Sequence, residues 1–210
     1  MRRRDFVLTT ASLATAALWL DPARAQAQGA SNLVSRQGEV LLNGRPLPQD
    51  GVIQTGDTVA TGPDGRVAFS IGNDAFLLRP GTTLHLERGA TLFAISGARL
   101  IAGAFAAVFG TSRQPRAITT RTVTAGIRGT GFYIGTEADS TYVCTCYGSI
   151  ELIGVGGARE FVNSTQHAAR RILAAPTGGR VIMTAPFENH EDAEIERLAA
   201  LVNQRPAWRR

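Results

Sequence analysis

Cys144 and Cys146 stand one residue apart in Tyr142-Val143-Cys144-Thr145-Cys146-Tyr147-Gly148, and they are the only cysteines of the chain. His85, His167 and His190 are its only histidines. In a strand, side chains repeat every two residues, so both thiols face one side. Their Cα atoms then lie about 6.6 Å apart, the outer limit for a disulfide, and an extended backbone disfavours a bond between them. Cys144 and Cys146 joined by His167 and His190 make a Cys2His2 set suited to a transition metal: zinc, copper or iron. The spacing is not that of a zinc finger. The plainer readings place His190 in the first turn of a C-terminal helix and make the cysteines a strained disulfide or buried apolar filler. His85, between Leu84 and Leu86, reads as an exposed face residue of a strand.

Other chemistry is sparse. The chain has no His-Glu-x-x-His, no Gly-x-Ser-x-Gly and no phosphate loop. A cysteine and His167 supply a nucleophile and a base, yet paired thiols on one strand suit a redox or metal site better than a protease. Thiol–disulfide exchange stands as an alternative, although Cys-x-Cys lacks the helix N-terminus that lowers a thiol's pKa. No catalytic residues are assigned, and the sequence reads as a binding protein, not an enzyme.

The elements that position these residues read as strands and turns. Gly38 to Leu42 leads into Asn43-Gly44, the dipeptide of a tight hairpin. Thr61-Gly62-Pro63-Asp64-Gly65 is a dense turn signal before the alternating Arg66 to Ile71, and Asn73-Asp74 and Pro80-Gly81 bracket Ala75 to Leu78. Leu92 to Gly110 is apolar, but Arg99 within it argues for buried strands rather than a membrane span. Glycines precede strands at 38, 65, 97 and 148, with no fixed period. Leu152 to Val162 reads as one more hairpin. Only the end looks helical: Asn189 as cap, Glu191 and Asp192 at the positive end, Ile195, Leu198 and Val202 on one face, Pro206 as stop, and Trp208 packing the tail back. The fold class is all-β, a short-stranded sandwich or irregular β-solenoid with one short C-terminal helix.

Arg2-Arg3-Arg4 followed by Phe6-Val7-Leu8, an apolar run to Leu20 and Ala23-Arg24-Ala25 read as a twin-arginine export signal cleaved near Ala25. Its removal takes four Arg and two Asp and lowers the net charge from +5 to +3. All 22 basic residues are Arg, without clusters interleaved with aromatics, so nucleic acid is not an expected partner. The expected location is the periplasm, with no membrane span in the mature chain.

Four pieces, in order, carry a family resemblance: Gly38-Glu39-Val40, Gly56-Asp57-Thr58-Val59-Ala60-Thr61-Gly62, Gly65-Arg66-Val67-Ala68, and Thr124-Ala125-Gly126-Ile127-Arg128-Gly129-Thr130-Gly131-Phe132. Together they resemble a FecR domain. The resemblance covers about residues 35–153. It implies a periplasmic, non-enzymatic sensing or scaffold module of the cell envelope whose partner is a protein, a glycan or a small ligand. The residues themselves read structurally. Gly56-Asp57 suits a tight turn. Alternation places Arg128 on the side of Phe132 and Ile134, partly buried and in need of a carboxylate or carbonyl partner. The organisation expected is a signal over 1–25, a FecR-like β domain over 32–153, and a hairpin extension with a helix over 154–210.

Overall fold

The computed structural model describes residues 31–209, so the export signal read over 1–25 lies outside the described residues. Fifteen strands follow one another along the described chain. They are β1 (Leu33–Gln37), β2 (Val40–Leu42), β3 (Arg45–Pro46), β4 (Thr58–Thr61), β5 (Arg66–Ile71), β6 (Asp74–Leu78), β7 (Thr83–Thr91) and β8 (Ala94–Ala102). Then come β9 (Ala104–Phe109), β10 (Arg116–Thr119), β11 (Val123–Thr136), β12 (Ser140–Gly154), β13 (Arg159–Ser164), β14 (Ala168–Thr177) and β15 (Arg180–Ala185). Among the described residues the one α-helix is α1 (Asp192–Leu201). The fold is all-β with a short C-terminal helix.

The strands join in one curled sheet in the order β1-β5-β6-β9-β11-β10-β8-β7-β4-β2-β3. From β11 the sheet branches. The long β12 pairs β13 along its second half and β14 along its first, and β15 adds to β14. Curling brings Val40 of β2 and Phe69 of β5 into one core with Phe105, Ile118 and Phe132. At its centre Phe76 stacks on Phe69 at 5.1 Å and meets Phe109 edge-on at 5.4 Å. Such ring pairs add about 0.5–1.5 kcal/mol each beyond their burial. A buried ion pair crosses the rim of this core. Arg116 Nη1 donates to both Asp74 oxygens, at 2.7 and 2.6 Å, and Nη2 to the Gly110 carbonyl.

Asn43 and Gly44 take φ of 53° and 77°, the mirror-image turn that joins β2 and β3. The Asp57 carboxylate accepts the Gln54 amide at 2.8 Å and the Asn43 side-chain amide at 2.8 Å, closing the Gly56-Asp57 turn. The stretch from Leu92 to Gly110 forms β8 and β9, with Arg99 exposed, and no helix among the described residues is long and apolar enough to cross a membrane.

Arg128 departs from expectation. It is exposed, and Ile127 occupies the core beside Phe132 and Ile134. The cause is a bulge. The β11–β12 register shifts between Arg128 and Gly131, with Gly129 at φ 60°, so the inward–outward alternation reverses across that point. Two strands, β14 and β15, were also not expected from the sequence.

The helix end differs too. Asn189, with φ 70°, does not cap the helix; its carbonyl accepts Arg79 Nη2 at 3.0 Å. The N-cap is Glu191, whose amide donates to Glu194 Oε2 at 3.1 Å. The helix ends at Leu201, short of Pro206, with Asn203 in the left-handed region at φ 54°. Ile195, Leu198 and Ala199 pack on the sheet. Trp208 does bring the tail back: its indole donates to Glu196 Oε1 at 2.8 Å and its ring meets Tyr147 at 5.8 Å.

Candidate metal centre

β12 lies between β11 and β14 at the level of the cysteines, Cys144 opposing Tyr133 on one side and Ala169 on the other. Strand alternation turns Val143 into the aromatic core and Tyr142, Cys144 and Cys146 to the opposite face. Both cysteines are free thiols and fully buried.

His167 stands just before β14, at the turn from β13. Its φ of 49° makes that turn, and its amide donates to the Cys146 carbonyl at 3.0 Å, which fixes the residue beside the cysteine strand. His190 comes from the segment between β15 and α1. That segment is pinned by Tyr142, whose hydroxyl donates to the Pro186 carbonyl at 2.9 Å and accepts the Glu188 amide at 3.1 Å. The His190 ring lies flat on Tyr133, centroids 4.8 Å apart and planes within 4°.

The four expected ligands therefore meet. One ligand atom from each of Cys144, Cys146, His167 and His190 falls within 4.8 Å of all the others. Cys146 Sγ is 3.2 Å from His190 Nε2, and Cys144 Sγ is 3.7 Å from His167 Nδ1. A tetrahedral zinc with Zn–S near 2.3 Å and Zn–N near 2.0 Å has ligand–ligand edges of roughly 3.3–3.8 Å. Closing the cluster to that size needs side-chain shifts of about 1 Å or less.

The outer nitrogens settle which lone pairs face inward. A carbonyl only accepts, so His190 Nδ1 carries the proton it donates to Glu188 O at 2.9 Å, which in the neutral ring turns the Nε2 lone pair toward Cys146. His167 Nε2 donates to Asp192 Oδ1 at 2.5 Å, which in the neutral ring turns the Nδ1 lone pair toward Cys144. A ligating His held by a carboxylate or a backbone carbonyl is the outer shell expected of a metal site. Phe187 covers His167 at 4.1 Å between centroids, and Trp208 approaches it at 5.3 Å.

The thiols are unlike each other. The hydrogen bond from Cys146 lowers Cys144 to about 5 against the upward pull of burial, with His190 and His167 adding to the drop. Burial is the main cause that pushes Cys146 well up. One sulfur is thus drawn toward the thiolate, with the second thiol and two imidazoles around it. The set can bind a thiophilic cation, which would take the second proton away.

His85 lies elsewhere. It is half-buried on the face opposite Leu84 and Leu86, its Nδ1 3.1 Å from Thr58 Oγ1. Asp192, Glu188, Tyr133 and Tyr142 complete the surroundings and were not picked out as site residues. The one sequence signal for Asp192 was its place two residues after His190, where it reads as an ordinary helix-start acid.

No protein-family model matches the sequence, and no curated protein does. Two crystal structures of a candidate anti-sigma factor from Parabacteroides distasonis are similar to the fold. One, at 2.50 Å resolution, aligns with 15% identity and a TM-score of 0.49 over 69% of this chain and 63% of that one. The other, at 1.65 Å, aligns with 16% identity and a TM-score of 0.48 over 69% of this chain and 64% of that one. The chain thus spans less than two thirds of either. A likeness of this extent bears on neither activity nor partner.

Proposed function

We propose that this protein is a non-enzymatic, exported β-module that binds one transition-metal ion through Cys144, Cys146, His167 and His190. The observation that carries the reading is the convergence of four soft and borderline ligand atoms within 4.8 Å, drawn from three separate segments. Charge favours a divalent ion, and a four-coordinate sulfur and nitrogen set favours zinc among them. Two thiolates and two neutral imidazoles around Zn2+ form a neutral unit, whereas a monovalent copper would leave a net negative charge in a buried site. Four protein ligands leave no open position for water, which suits a structural or sensing ion rather than a catalytic one. The FecR-like order of motifs supplies the context, sensing or scaffolding in the cell envelope. In an oxidising compartment, a bound ion also accounts for two neighbouring cysteines that remain unpaired.

A thiol–disulfide oxidoreductase is the second reading, favoured by the lowered Cys144 thiol. Against it stands access, because neither sulfur reaches solvent where a partner's disulfide would have to approach. Native mass spectrometry of the periplasmic protein separates the two. The expected result is one zinc per chain with both cysteines unoxidised. A metal-free protein with a Cys144–Cys146 disulfide overturns the metal reading.

A further inference from the structure

His190 and Asp192 belong to a single stretch, residues 186–201, whereas Cys144, Cys146 and His167 belong to β12 and the approach to β14. That stretch ends in α1, whose Ile195, Leu198 and Ala199 cover Ala68, Ala75, Leu77, Ala106 and Val108. The covered side chains are mostly small, so the apolar grip is shallow. Other links are polar, the Tyr142 hydroxyl to Pro186 and Glu188, Arg171 to Glu188, Arg79 to Asn189, and Arg79 and Arg66 to Glu194, or ring contacts, His190 on Tyr133 and Phe187 on His167. None of the ligands belongs to the aromatic core on the other face of the sheet.

Resting on the metal reading, we infer that the ion is a clasp, whose binding closes residues 186–201 onto the sheet and whose loss lets them open while the β body stays folded. An ion held by all four ligands binds the closed form more tightly than the open one, which keeps only the three on the sheet. At free zinc about 100 times its dissociation constant from the closed form, the open population therefore falls by up to about 100-fold. Openings of this local kind are what amide exchange resolves. The metal state of the site thereby becomes a conformational signal at the end of the chain, which is what a sensing module requires.

The test is hydrogen–deuterium exchange of the full chain, with zinc at that excess and with a chelator, beside a calorimetric zinc titration. The clasp predicts that amides of residues 192–201 exchange up to about 100-fold more slowly with zinc, while those of β5 and β6 change little. Zinc binding with no selective slowing of α1 overturns the clasp and leaves the metal site standing. No zinc binding overturns both. The double substitution His190→Ala/Asp192→Ala keeps three ligands on the sheet side. It should still bind zinc, more weakly, with no zinc effect on α1. An undiminished zinc effect on α1 in that variant refutes the clasp.

Discussion

The two faces of the central strands are built on different plans. Toward the curled interior, β6, β9 and β11 present Phe76, Leu78, Phe105, Phe109, Phe132 and Ile134, all essentially inaccessible to solvent. Toward the C-terminal segment the same strands present Ala75, Leu77, Ala106, Val108 and Tyr133, and β12 adds Tyr142, Cys144 and Cys146. The first face fills its space with rings and needs no directional bond. The second is closed by a late segment through hydroxyl, guanidinium, imidazole and sulfur contacts. The larger share of the stability belongs to the first face and the chemistry to the second.

Substitutions on the two faces should therefore behave differently. Phe76→Ala leaves a large cavity among Phe69, Phe105 and Phe109 and should cost about 3–5 kcal/mol in urea unfolding, the same with zinc or with chelator. A loss that shrinks when zinc is added would blur the division between the faces.

Glu194→Gln acts on the second face. Burial opposes the Glu194 carboxylate, but hydrogen bonds and charge from Arg79, with help from Arg66, outweigh it and hold the group below its ordinary value of 4.5. Losing these charged hydrogen bonds should cost about 1.5–3 kcal/mol. The folded-state pKa is depressed, so this contribution is fully present above pH 4.5 and is lost as pH falls through the lower folded value. The difference in unfolding between wild type and Glu194→Gln should be smaller at pH 3 than at pH 7.

Asp192→Asn keeps all four ligands and weakens the support of His167, and with it a contact to Gln166 and an acid of the first turn of α1. Zinc affinity should drop about 10–100-fold by competition titration, with little change in the unfolding of the chelated protein. Equal affinities would remove Asp192 from the outer shell. Arg128→Ala, on an exposed side chain at the bulge, should shift stability by no more than about 0.5 kcal/mol.

What the sequence disclosed follows the same division. The first face was legible because local patterns encode it: alternation in Arg66 to Ile71 and the Asn43-Gly44 turn. The bulge was not. Gly129-Thr130-Gly131 reads equally well as unbroken strand, and an extra residue on each of β11 and β12 at this level reverses the facing of both strands across it. The ligand set was legible as an inventory, since its two residue types, Cys and His, are rare in this chain and share a chemistry. Its assembly depends on contacts 23 and 44 residues apart, made by a left-handed turn at His167 and a strap pinned by Tyr142. Periodicity carries no information at that range. β14 and β15 escaped notice because their exposed halves, from Ala174 to Arg180, lack an alternating apolar face.

Cobalt substitution tests the centre most directly, because its absorption reports ligand type and geometry together. Added to the reduced full chain, one equivalent of Co2+ should give intense visible bands of a tetrahedral ion with sulfur-to-metal charge transfer. Zinc should displace it, and Cys144→Ser or Cys146→Ser should each weaken the charge-transfer band. Weak octahedral absorption, unchanged by either serine substitution, would contradict a buried Cys2His2 centre.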